Sequence, residues 1–182
     1  LYDAGVPEDV FPTLVGGGEI GAALLEQNIE GVYFTGSYAT GVKVAQAASK
    51  KLMRVQLEVG GKDPAYVCDD VDAKSAAQNV ASGVFYNTGQ SCCSIERVYV
   101  HENIYDDFVK EFLEEVSSFK MGNPMEEVVF IGPLTRDPQR GVIQAQVDDA
   151  VAKGATLRCG GAAVEGPGYY YQPTVLTEVT SD

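Results

Sequence analysis

Residues 31–58 read GVYFTGSYATGVKVAQAASKKLMRVQLE and carry the pattern of a strand, a helix and a second strand. The apolar run 32–34 predicts a short strand that ends at a glycine turn. The alanine-rich stretch 38–50 predicts a helix, and residues 54–58 alternate as a strand does. The apolar face of the helix is predicted to hold Val42, Val44, Ala45 and Ala48. Such winding is typical of an α/β fold with a largely parallel sheet.

The same alternation continues along the chain. Further helices are predicted over residues 19–27, 72–86, 104–119 and 139–153. Further strands are predicted over residues 13–15, 64–68, 97–100 and 155–159, with an extended segment over 169–177. Helix 104–119 is amphipathic and presents Phe108, Phe112 and Val116 on one face. Residues 121–138 are rich in proline and glycine and are predicted to form a loop.

The composition indicates a packed domain and disfavours several classes of function. Hydrophobic residues make up 45% of the 182, enough for a core. The net charge of −13 argues against binding nucleic acid or anionic membranes, which require basic patches. The sequence shows no signal peptide and no membrane-spanning run, so we expect a cytoplasmic location, with an organelle matrix as the alternative.

The four cysteines fall into two groups. Cys68 and Cys159 follow or end strands and are interpreted as small core residues. Cys92 and Cys93 lie in the polar loop 87–94, where a thiolate can be partly exposed. Because the chain has no C-x-x-C pair and a single histidine, the sequence predicts no metal site.

A carboxylate and a thiol in two glycine-containing segments suggest covalent catalysis. Glu58 lies in LEVGGK (57–62), and Cys92 lies 34 residues later in NTGQSCC (87–93). A thiolate can attack a carbonyl group, and a carboxylate can activate the water that releases the product. The alternative interpretation of Glu58 is structural: its carboxylate forms an ion pair with Lys62 or caps a turn. His101 is interpreted as a solvated surface histidine rather than as a base for Cys92.

Two glycine segments are candidates for binding phosphate. Gly16 and Gly18 belong to a G-x-G-x-x-G pattern at the start of a helix, which fits a dinucleotide site and equally a tight turn. Gly36, Ser37 and Gly41 form the better candidate, because they follow an apolar strand and precede a helix. Ser37 can serve there as a helix cap or as a phosphate ligand.

Together, and in this order, these segments resemble the aldehyde dehydrogenase superfamily. The family pattern Asn-x-Gly-Gln-x-Cys is matched around Cys92, and Glu-Leu-Gly-Gly-Lys is matched from Glu58 with valine in place of leucine. The family's G-S-x-x-x-G stretch is matched from Gly36, and the spacing of 34 residues between Glu58 and Cys92 also agrees. The resemblance covers essentially the whole chain, including residues 168–176.

The resemblance implies a function and a set of site residues. An aldehyde would be oxidised to a carboxylic acid by NAD or NADP through a thiohemiacetal and a thioester on Cys92, with Glu58 activating water. Residues 1–57 would be the last part of a Rossmann-like nucleotide-binding domain, and residues 58–182 the front part of the catalytic domain. The residues near the cofactor would be Gly16, Gly18, Gly36, Ser37, Gly41, Val59 and Gly60.

The resemblance also implies that the chain is a fragment of a longer protein that assembles as a homodimer or homotetramer. We therefore expect little or no turnover from the chain alone. Two other classes of function remain open: a thiol hydrolase or acyltransferase that needs no nicotinamide, and a non-catalytic structural or assembly module.

Overall fold

The computed structural model describes residues 1–181, which form two compact α/β units. The first unit is Leu1–Gly60, and the second runs from Gly61 onward. The predicted alternation of helices and strands is confirmed in both units. No helix among residues 1–181 has the length and apolar character needed to cross a bilayer.

The first unit is built on the predicted strand–helix–strand motif. Its elements are α1 (Gly18–Leu25), β1 (Gly31–Thr35), α2 (Tyr38–Ser49) and β2 (Arg54–Glu58). β1 and β2 pair in parallel, so Thr35 and Glu58 lie side by side at their carboxyl ends. Val44 and Ala48 are buried as predicted, whereas Val42 is exposed.

The strand expected over residues 13–15 is absent from the structure. Leu14 is 64% exposed and Val15 is 92% exposed, so neither side chain has an apolar surface to pack on. A three-residue apolar run therefore gave a false strand signal, because it has no partner strand among the described residues.

The second unit contains two further strand pairs and three helices. Its elements are β3 (Asp63–Val67), α3 (Ala73–Phe85), β4 (Ile95–Val100), α4 (Tyr105–Ser118), α5 (Pro138–Ala152), β5 (Thr156–Cys159) and β6 (Val175–Thr177). β3 and β4 are parallel, and β5 and β6 are antiparallel. Of the extended segment predicted over 169–177, only β6 is a strand.

The core of the second unit lies between α3 and α4. Phe108, Phe112 and Val116 are all buried, as the spacing along α4 predicts. Phe85, at the end of α3, lies 6.4 Å from Phe112 between ring centroids. Because the last residue of α3 is fixed in this core, the loop that follows it starts from a firmly placed point.

Candidate functional site

The start of α2 is a helix N-terminus capped by a serine. Ser37 is the N-cap: its Oγ accepts a hydrogen bond from the Thr40 N–H (3.3 Å) and donates to Thr40 Oγ1 (3.0 Å). The first turn carries no acidic side chain, so nothing offsets the positive end of the helix dipole. Free N–H groups and this dipole favour an anion at the end of β1.

Gly36 and Gly41 hold this helix start against the end of β2. The Gly36 N–H donates to the Glu58 carbonyl oxygen (3.0 Å). Gly41 is buried, and a Cβ atom at that position would lie 2.7 Å from Val59 Cγ1. The structure therefore brings together five of the predicted residues: Gly36, Ser37, Gly41, Glu58 and Val59.

The other glycine segment fits phosphate less well. α1 begins at Gly18, and the Gly17 N–H donates to the carboxylate of Glu19 (3.2 Å). An acidic side chain thus occupies the first turn, where it repels a second anion. Gly18 is the first residue of α1, whereas Gly16 lies before the N-cap Gly17. The start of α2 is therefore the better candidate for binding an anion.

Glu58 is the last residue of β2 and has an exposed side chain. Its Oε1 accepts a hydrogen bond from Gln56 Nε2 (2.8 Å). Gly60, two residues later, has a φ of 84°, a left-handed conformation that favours glycine. In the second unit, Lys62 is paired with Glu96. The Glu58 carboxylate therefore stands at the carboxyl edge of a parallel strand pair, where α/β proteins bind ligands.

Cys92 and Cys93 lie in the loop between α3 and β4, which we call the thiol loop, and both are exposed. The loop opens with a turn in which Asn87, Thr88 and Gly89 are left-handed, with φ angles of 50°, 58° and 71°. Each non-glycine residue in this conformation costs about 1–2 kcal/mol. A Cβ atom on Gly61 would lie 3.2 Å from the Cys92 carbonyl oxygen, so the glycine lets the chain before β3 pass close to the thiol loop.

The Cys93 thiol, not that of Cys92, contacts two hydroxyl groups. Its Sγ is 3.4 Å from Ser91 Oγ and 3.3 Å from the Tyr86 hydroxyl, and Tyr86 also donates to Ser91. The hydrogen bond with Ser91 is the largest cause that lowers the pKa of Cys93, followed by the hydrogen bond with Tyr86. This cluster could not be predicted from the sequence, because a hydroxyl–thiol contact has no characteristic spacing.

The remaining cysteines and His101 differ in part from expectation. Cys68 is exposed, so its interpretation as a core residue is wrong: β3 ends with Val67 in the core and the next side chain points outward. Cys159 is half-buried, and burial raises the pKa of its thiol. His101 is also half-buried and caps a 3₁₀ turn, where its Nδ1 accepts from the Asn103 N–H (3.2 Å). Among residues 1–181 no group of three potential metal ligands converges.

Comparison with known proteins identifies the family. The strand–helix–strand motif and the strand pairs of both units define an α/β chain. The model of the "Aldehyde dehydrogenase family" matches residues 1–182, and the chain belongs to that family.

Proteins similar to this chain include several dehydrogenases. A succinate-semialdehyde dehydrogenase [NADP(+)] of Mycobacterium avium is 40% identical over 98% of this chain, and a betaine aldehyde dehydrogenase of Brucella anthropi is 38% identical over 99%. The structure of 3,6-anhydro-L-galactose dehydrogenase in complex with NAP matches all of the chain with a TM-score of 0.94 and 37% identity. Lactaldehyde dehydrogenase from Escherichia coli matches 98% of the chain with a TM-score of 0.93 and 39% identity.

The chain spans well under half the length of these proteins. It covers 38% of the Mycobacterium and Brucella proteins and of lactaldehyde dehydrogenase, and 39% of 3,6-anhydro-L-galactose dehydrogenase.

Proposed function

We propose that the protein oxidises an aldehyde to a carboxylic acid with NAD(P)+, through a covalent intermediate on Cys92. The observation that carries this proposal is an exposed thiol in a loop fixed to the α3 core, in a chain of the aldehyde dehydrogenase family. Two of the relatives are named as dehydrogenases of succinate semialdehyde and betaine aldehyde, the first with NADP(+), and the 3,6-anhydro-L-galactose dehydrogenase structure is a complex with NAP.

The start of α2 is proposed to hold the cofactor. Gly36, Ser37 and the first N–H groups of α2 present an anion site without a competing carboxylate, which suits a pyrophosphate. Val59 and Gly60 border the same edge, and Gly16 and Gly18 would lie at its margin. When bound, NAD(P)+ supplies the hydride acceptor that the reaction requires.

In the first half-reaction the Cys92 thiolate forms a bond to the aldehyde carbon. The carbonyl oxygen becomes an oxyanion, which the Cys92 backbone N–H stabilises. Loss of hydride from this thiohemiacetal re-forms the carbonyl group and leaves a thioester on Cys92. The exposed position of the thiol makes it accessible to an external carbonyl compound.

In the second half-reaction Glu58 removes a proton from water. The resulting hydroxide attacks the thioester carbon, the carbon–sulfur bond breaks, and the acid leaves as the thiolate of Cys92 is restored. The Glu58 side chain is exposed at the end of β2, so water can reach it. The hydrogen bond from Gln56 fixes one carboxylate oxygen and leaves the other free to accept the proton.

The test is NAD(P)H formation by the protein expressed from its complete gene. A panel that includes succinate semialdehyde, betaine aldehyde and lactaldehyde should be assayed with NAD+ and with NADP+. We expect at least one aldehyde to give NAD(P)H, and Cys92→Ala to abolish its formation. Absence of NAD(P)H with every aldehyde and both cofactors, or its persistence in Cys92→Ala, would overturn the proposal.

A further inference from the structure

The side chain of Gln90 joins the thiol loop to a segment more than forty residues away in sequence, residues 132–135. Its Nε2 donates to the carbonyl oxygens of Asn87 and Pro133, each at 3.3 Å. Its Oε1 accepts from the N–H and the hydroxyl group of Thr135, each at 2.9 Å. Both ends of the amide are thus used, one bond within the loop and three across to the other segment.

Thr88 makes a second connection to the same segment. Its hydroxyl group donates to the Gly132 carbonyl oxygen (3.2 Å) and accepts from the Gly132 N–H (3.0 Å). One side-chain hydroxyl therefore satisfies both backbone groups of a single residue. We call Thr88, Gln90 and residues 132–135 the loop anchor.

The distant side of the loop anchor is firmly placed. Ile131, just before it, is 1% exposed and belongs to the core of the second unit. Leu134, within it, is 5% exposed, and its N–H donates to the Tyr169 carbonyl oxygen (2.8 Å). The hydrogen bonds of the loop anchor therefore hold the thiol loop in a fixed position relative to this core.

The loop needs such support because its backbone is unfavourable. Asn87, Thr88 and Gly89 are left-handed in succession, and threonine, being β-branched, is poorly suited to positive φ. A conformation of this kind persists only where surrounding contacts determine it. Thr88 and Gln90 make those contacts two to four residues before Cys92.

We propose that Thr88 and Gln90 are positioning residues, which hold the thiol loop in the conformation that presents Cys92 to substrate. This inference rests on the proposed role of Cys92, but the position of the loop can also be measured without turnover. Cys93 reports it, because its hydrogen bonds with Ser91 and Tyr86 exist only while the loop keeps its shape.

The test compares three variants of the protein expressed from its complete gene. Thr88→Val removes the hydroxyl group and keeps the β-branched shape, and Thr88→Ser keeps the hydroxyl group. Gln90→Glu keeps the shape of the side chain but replaces both N–H donors by carboxylate oxygen. Each is assayed well below its own melting temperature for kcat, for KM, and for the pH midpoint of alkylation at Cys93, with Cys159 as the internal control.

For Thr88→Val and Gln90→Glu we expect kcat to fall about tenfold, the scale of losing one or two partly buried hydrogen bonds, with KM unchanged. The alkylation midpoint of Cys93 should rise toward that of a free thiol, while that of Cys159 stays constant. Thr88→Ser should match the wild type in every measurement. A merely structural role would lower the melting temperature and leave kcat and the Cys93 midpoint unchanged, which would overturn the proposal.

Failure of the proposed function gives a different pattern. If the wild type forms no NAD(P)H while the Cys93 midpoint still rises in Thr88→Val and Gln90→Glu, the loop anchor is supported and the dehydrogenase function is refuted. If the wild type is active and both variants keep the wild-type kcat and Cys93 midpoint, the loop anchor is refuted and the function stands.

Discussion

Replacing Glu58 by glutamine should separate the two half-reactions. The glutamine amide oxygen can accept the same hydrogen bond from Gln56 Nε2 that Glu58 Oε1 accepts at 2.8 Å. Because the side chain is exposed and keeps its shape, we expect the free energy of unfolding to change by less than about 0.5 kcal/mol. The change removes the base that activates water, a loss that lowers a rate about 10²–10⁴-fold.

The assay for Glu58→Gln is rapid-quench measurement of NAD(P)H. Hydride transfer precedes the step that needs Glu58, so we expect a burst of one NAD(P)H per Cys92 followed by steady-state turnover about 10²–10⁴-fold slower than wild type. Glu30→Gln is the matched control, since Glu30 is also exposed in the first unit and precedes β1 at its amino end. Steady-state turnover close to that of the wild type, or loss of the burst together with turnover, would refute the role given to Glu58.

Three further predictions concern the thiols, the pH dependence of stability and the core. Cys92→Ala should lower NAD(P)H formation at least about 10⁴-fold, whereas Cys93→Ser keeps a hydroxyl group in the cluster and should retain most of the activity; equal loss in both would contradict the assignment of Cys92. The hydrogen bond from the Ser75 N–H lowers the pKa of the Asp72 carboxyl group. The stabilisation that this bond gives the folded protein is therefore complete above about pH 4 and is lost as the pH falls through the folded-state pKa of Asp72. Asp72→Asn should therefore show a flatter decline of melting temperature in acid, and an unchanged acid decline would contradict this. Phe112→Ala should lower the free energy of unfolding by about 3–5 kcal/mol in urea titrations, and a loss below about 1 kcal/mol would show that this ring is not central to the core.

The spacing of apolar residues along the sequence was sufficient to predict the helices and strands that depend on neighbouring residues. The strand–helix–strand motif of residues 31–58 and the buried face of α4 follow from apolar periodicity, which depends only on neighbouring residues. The parallel pairing of β1 and β2 brings Gly36 against Glu58 at the carboxyl ends of the two strands. The cofactor-binding and catalytic assignments themselves stay predictions until they are measured.

The parts that the sequence did not reveal depend on contacts between distant residues. The loop anchor joins Gln90 to Thr135, and no sequence pattern at either residue predicts a hydrogen bond to the other. The outward position of Cys68 depends on which residue ends β3, and strand ends are the least certain feature of a sequence pattern. The three consecutive left-handed residues of the thiol loop include a threonine, which no local preference would place there.

Trapping the acyl group on Cys92 during turnover is the most direct test of the proposed covalent mechanism. Glu58→Gln should be mixed with an aldehyde substrate and NAD(P)+, quenched in acid during the steady state, digested and analysed by peptide mass spectrometry. We expect an acyl group on Cys92 in most of the protein, present only when both aldehyde and oxidised cofactor are added. An acyl group on Cys93, or unmodified Cys92 while NAD(P)H is being formed, would contradict it.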